Sequence, residues 1–113
     1  MNWQEIAWFT RGEFDCGCGC KFNNVTPELA KLLDSARKQI GAPVIITSGS
    51  RCEKHNETVG GGAWSRHKDG TAADVVTKTY LMDNLERALK TEHSWTKRYP
   101  RHIHVHLIHL RGS

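Results

Sequence analysis

The sequence predicts an α+β fold, and three observations carry that expectation. Residues 27–40 hold an apolar stripe with helix start and stop signals at its two ends. Residues 80–91 repeat the helical spacing. From His102 to Leu107 histidine alternates with an aliphatic residue at every step, which is the period of a strand. A chain of 113 residues buries roughly two-thirds of the surface its unfolded form exposes, enough for one core and not two. Residues 1–113 are therefore expected to form a single domain.

Residues 1–25 read as irregular, with Trp3, Ile6, Trp8 and Phe9 as apolar anchors. The helix over 27–40 has Thr26 as its N-cap, Pro27 at its first position and Glu28 in its first turn. Leu29, Leu32, Leu33, Ala36 and Ile40 line one face, and Gly41 supplies the stop. Pro43 to Thr47 reads as a short, fully buried strand. Residues 48–71 are rich in Gly, Ser, Asn and Lys and show no period, and so long a loop in a compact domain is functional or tied down. Ala72 to Thr77 reads as a second strand. Residues 80–91 place Leu81, Leu85, Ala88 and Leu89 on one helical face. In the last strand, over 102–110, His102, His104 and His106 point one way and Ile103, Val105 and Leu107 the other.

Composition removes several classes of protein. Hydrophobic residues make up 38% and charged residues 25%, so the chain is neither disordered nor membrane-like. No apolar run approaches the ~18 residues of a spanning helix. The start, MNWQEIAWFT, lacks the basic and apolar regions of a secretory signal. The net charge of +4 suits an anionic partner without naming one. Seven histidines and four cysteines stand out, and both are clustered.

On spacing alone the three histidines of the last strand make a solvated polar face, a face with a single hydrogen-bonded core histidine, or a metal site. Asp74, beside Val75 and Val76, sharpens the choice, because a buried bare carboxylate is costly and a cation would satisfy it. His67, Asp74 and one histidine of the last strand form a His₂Asp set. Three protein ligands with an open fourth position describe a catalytic zinc site.

Ser65-x-His67-x-x-Gly70-x-Ala72-x-Asp74, followed by His102-x-His104, resembles the signature of the zinc D-alanyl-D-alanine carboxypeptidase family in its small, phage-associated branch. Three further stretches resemble that branch in the same order. They are Phe14 to Cys20, Thr47 to Cys52 with His55-Asn56 and Val59-Gly60-Gly61, and Tyr99-Pro100. The resemblance implies the hedgehog/DD-peptidase fold, a small antiparallel sheet with packed helices around a zinc site. It implies His67, Asp74 and His104 as ligands of Zn²⁺, and Arg51 as the group that binds a substrate carboxylate or a developing oxyanion. The implied activity is hydrolysis of amide bonds in peptidoglycan stem peptides, as a D-Ala-D-Ala carboxypeptidase or an endolysin. The chain would act at the bacterial cell wall after cytoplasmic synthesis, as a monomer, with no nucleic-acid partner and no membrane span. Ser65 is either a site hydrogen-bonder or a turn residue, and Gly60, Gly61 and Gly62 serve loop geometry.

The chain departs from the family in its proton acceptor. Relatives place a carboxylate or another acceptor just before the last ligand, where Arg101 stands nearby here, and often an Asp two residues after it, where this chain has His106. His102 and His106 share the ligand's face, and a neutral imidazole accepts a proton; Glu92 is a more distant candidate. The alternative is a non-catalytic zinc-binding module of the same fold. Two other rivals are a small basic nuclease, which would show salt-sensitive DNA binding, and a metal-free structural phage protein.

Cys16, Cys18, Cys20 and Cys52 have three readings: free thiols, a disulfide from the N-terminal cluster to Cys52, or a four-thiolate structural zinc. C-x-C-x-C is not the familiar C-x₂-C ribbon spacing.

Overall fold

The computed structural model describes residues 6–20, 22–60 and 70–108. Helix α1 spans Pro27–Ile40; the Thr26 hydroxyl accepts the Leu29 N–H at 3.3 Å, and Gly41 closes the helix in the left-handed region. Strand β1, Ile45–Ser48, leads to a short helix α2, Glu53–Thr58. Strand β2, Ala72–Val76, is followed by helix α3, Met82–Leu89, and by strands β3, Ser94–Arg98, and β4, Ile103–Leu107. The strands form one antiparallel sheet in the order β1-β2-β4-β3.

Alternation along the sheet separates two functions. Val75, Ile103 and Val105 are fully buried and pack with Leu29, Leu33 and Ala36 of α1 and with Leu85 and Leu89 of α3. The helices therefore cover one face of the sheet. The other face carries Asp74, which lies opposite His104, and His106, which lies opposite both Ala72 and Trp95. Burying each large aliphatic side chain contributes about 1.5–3 kcal/mol, so the core that holds the sheet also holds this second face in register.

The N-terminal segment is part of the same core. Ile6, Phe9 and Phe14 are buried in it, and Arg11–Phe14 form a 3-10 turn. Asp34 on α1 accepts the backbone N–H groups of Ala7 and Trp8, at 3.2 and 2.7 Å. Trp8 is half exposed under the Arg37 guanidinium rather than buried. Trp3 lies outside the described residues.

Four expectations need correction. The first strand is not fully buried: β1 is an edge strand, and Ile45 is 60% exposed, because only Val44 and Ile46 of the apolar run turn inward. The stretch 48–71 is not wholly irregular, since α2 lies within it; six residues are too few to show a helical period. A fourth strand, β3, was not foreseen. Its residues Ser94-Trp95-Thr96-Lys97-Arg98 are largely solvent-facing on a sheet edge, so burial leaves little alternation in the sequence. The last strand stops at Leu107, and 109–110 lie outside the described residues.

Candidate functional site

The site is built from the three strands β1, β2 and β4 and from the loop after β1. Between Ile46 and Ser48 the pairing of β1 with β2 shifts by a bulge. One extra residue, Thr47, is absorbed there, and its hydroxyl donates to the Asp74 carbonyl at 3.1 Å. The bulge brings Ser48 opposite Asp74, which is how such irregularities re-aim a side chain at a site.

Arg51 follows three residues later and is clamped from three directions. Its Nε donates to Ser48 Oγ at 3.1 Å, Nη1 to Asn56 Oδ1 at 3.3 Å and Nη2 to Asp74 Oδ2 at 3.4 Å. Asn56 is buried on α2, so that short helix holds the guanidinium from behind. Three of the five N–H directions of the planar fork are thereby fixed.

Asp74 is 8% exposed, and one guanidinium and two imidazoles surround its carboxylate. Oδ1 lies 3.1 Å from His104 Nδ1, and Oδ2 lies 3.7 Å from His102 Nε2 as well as 3.4 Å from Arg51. His104 Nε2 in turn lies 2.9 Å from His106 Nδ1. The His106 ring stacks on Trp95 at 5.0 Å, and the His102 ring on Tyr99 at 4.7 Å. A chain of polar contacts thus runs from Arg51 through Asp74 and His104 to His106, with Trp95 stacked on His106 and Tyr99 on the neighbouring His102.

Five of the six residues expected at the site, Arg51, Asp74, His102, His104 and His106, meet on this face. His67, with Ser65 and Gly61–Gly62, lies outside the described residues. The Glu92 carboxylate is exposed beside His93 at 3.5 Å. Ser48 and Asn56, which hold Arg51, and Trp95 and Tyr99, which pack the histidines, were not singled out from sequence as site residues. The S-G-S-R-C and H-N motifs contain the first two, and only the bulge and α2 reveal what they touch.

A family model described as Peptidase M15 matches residues 7–110. The chain belongs to Peptidase M15, the zinc D-alanyl-D-alanine carboxypeptidase family. No curated protein and no solved structure gives a match. Among the described residues of this M15 chain, no helix is long and apolar enough to cross a membrane.

Beside the histidine face, this M15 chain gathers a second set of donors. Cys16, Cys18, Cys20 and Cys52 are unbonded, and their four sulfurs all lie within 4.8 Å of one another. Among the described residues they are the one group of three or more metal-type side chains that meets around a point. Burial pushes the Cys16 thiol up, but the backbone N–H groups of Cys18 and Cys52 and those residues' side chains outweigh it, bringing the thiol down to about 7. Cys18 moves the other way, raised chiefly by the Cys20 side chain.

Proposed function

We propose that the protein is a zinc-dependent peptidase that hydrolyses amide bonds in peptidoglycan stem peptides, on a hedgehog/DD-peptidase type of scaffold. The observation that carries this reading is the convergence of Arg51, Asp74 and His104 on one sheet face in a chain of the M15 family. His67, Asp74 and His104 would hold the ion. The donor chemistry fits, because a carboxylate and an imidazole are ordinary zinc ligands. Their 3.1 Å separation is also close to the about 3.3 Å expected between two donors about 2.0 Å from one tetrahedral ion. When bound, zinc supplies a Lewis acid that polarises a carbonyl and acidifies water.

The remaining work falls to the protein's own groups. If His104 takes the ion through Nδ1, the nitrogen that faces Asp74, its Nε2–H would donate to His106 Nδ1 at 2.9 Å, and a partner on the second ring nitrogen fixes a ligand's tautomer and orientation. His106 is therefore a positioning residue in this reading. His102, at the more open end of the face against Tyr99, accepts and returns the proton. Arg51 receives the substrate's carboxylate or the oxyanion that develops at the scissile carbonyl, a task suited to a guanidinium that does not reorganise. The +4 net charge favours an anionic wall polymer.

One observation favours the second reading, a non-catalytic zinc-binding module. Among the described residues, the ion pairs of Arg51, His102 and His104 on this face all go to the one carboxylate of Asp74. Digestion of muropeptides followed by mass spectrometry separates the two. We expect cleavage that a chelator abolishes and zinc restores, and that falls at least about 10²-fold in His102→Ala and to background in His104→Ala. Zinc bound at Asp74 and His104 with no stem peptide cut would establish the binding module instead.

A further inference from the structure

We propose that Cys16, Cys18, Cys20 and Cys52 form a structural zinc site, distinct from the histidine face, that staples the N-terminal segment to the loop carrying Arg51. Three of the sulfurs form a nearly equilateral triangle, with Cys16–Cys18 at 3.4 Å, Cys16–Cys52 at 3.8 Å and Cys18–Cys52 at 3.7 Å. Sulfurs about 2.3 Å from a tetrahedral zinc are about 3.8 Å apart, so these edges are close to those of a four-thiolate centre. The fourth sulfur, Cys20, is within 4.8 Å of the other three. A disulfide needs a single pair at about 2.05 Å. Here no pair is singled out: each of these three sulfurs has two sulfur neighbours at similar range.

Packing alone does not explain the group. Cysteine is among the residues most often buried, yet Cys18 and Cys20 are exposed and still turn towards buried Cys16. The surroundings suit sulfurs that carry negative charge. The backbone N–H of Cys52 donates to Cys16 Sγ at 3.4 Å, that of His55 to Cys52 Sγ at 3.3 Å and that of Phe22 to Cys20 Sγ at 3.5 Å. Contacts of this kind orient first-coordination groups. The C-x-C-x-C spacing, unlike a zinc ribbon, works here because the fourth thiolate arrives from a distant loop, 36 residues after the first.

Binding displaces four thiol protons, so that a dication and four thiolates leave a site of net charge −2 and the four protons go to solvent. The staple lands next to the functional loop. Cys52 follows Arg51 and caps α2, which carries Asn56. Nearby, the Phe14 carbonyl accepts the Ser50 N–H at 2.9 Å.

Cobalt substitution of the reduced, full-length protein tests the site by spectroscopy rather than activity. Four thiolates around cobalt are expected to give an intense sulfur-to-metal charge-transfer band. That band should be lost or strongly weakened in Cys18→Ser and Cys20→Ser and unchanged in His104→Ala, which separates this centre from the peptidase reading. Should the serine variants fail to fold, titration of the wild-type zinc protein with an organomercurial supports the proposal if one zinc is released per four thiols consumed. Two results would overturn it: no charge-transfer band in the reduced wild type, or a freshly isolated protein whose intact mass is lighter by the hydrogens lost in disulfides.

Discussion

Gly70 sits two residues before the start of β2 with φ at +79°, and a Cβ there would meet the Asn24 carbonyl oxygen at 2.0 Å. The Gly70 carbonyl also accepts the Thr26 N–H at 3.0 Å, joining the strand that carries Asp74 to the start of α1. Gly70→Ala is therefore expected to destabilise by well over about 1 kcal/mol, the level at which an incompatible backbone alone is felt, as read by urea unfolding. Arg51 makes the opposite point, about chemistry rather than space. A lysine keeps the charge but cannot reproduce three directed contacts to Ser48, Asn56 and Asp74. For Arg51→Lys we expect stem-peptide cleavage to fall about 10²-fold or more with metal content unchanged, measured by steady-state kinetics beside elemental analysis. Alternation in the last strand, the capped helix over 27–40 and the buried aspartate at 74 were all legible as residues. The role of Asn56 was not, because a six-residue helix leaves no periodic trace and its contact is made through the fold.

At the scale of elements, α3 is tied to β3 by Arg98, which donates to Asp83 at 2.8 Å and approaches Glu86 at 3.4 Å. The Arg98 contact and its charge hold the Asp83 carboxyl below the usual carboxylate range. A carboxylate whose folded pKa is depressed contributes stability that is complete above its unfolded value and is lost as pH falls through the folded one. The Tm difference between wild type and Asp83→Asn is therefore expected to stay level from neutral pH to about pH 5 and to close in more acidic solution. Both groups are exposed, so the difference is small and added salt shrinks it. Edge elements were the least legible part of the sequence. Strand β3 is held by its ladder with β4 and by this ion pair rather than by an apolar face, so its residues carry little of the signal that marks a strand. The apolar run at 43–47 misled for the converse reason, since an edge strand leaves Ile45 to solvent.

For the molecule as a whole, the N-terminal segment is a working part of the site's support rather than a tail. Phe14 is fully buried, and its carbonyl holds Ser50. Gly49 passes so close that a Cβ there would lie 2.7 Å from the Phe14 Cα. Phe14→Ala is expected to cost about 3–5 kcal/mol in chemical denaturation. It should also loosen the 49–52 loop, which faster amide exchange at Ser50 would report. The turn between β3 and β4, where the Tyr99 N–H donates to the His102 carbonyl at 2.9 Å, has a reach beyond its own four residues. Because the imidazoles and the core aliphatics occupy alternate places on β4, slipping that strand by one residue would exchange them wholesale, driving histidines into the core and valine onto the open face. Core and chemistry thus share one parity. A lineage that keeps the molecule folded keeps the histidine face aligned at no separate cost, and a single-residue deletion within β4 removes both together.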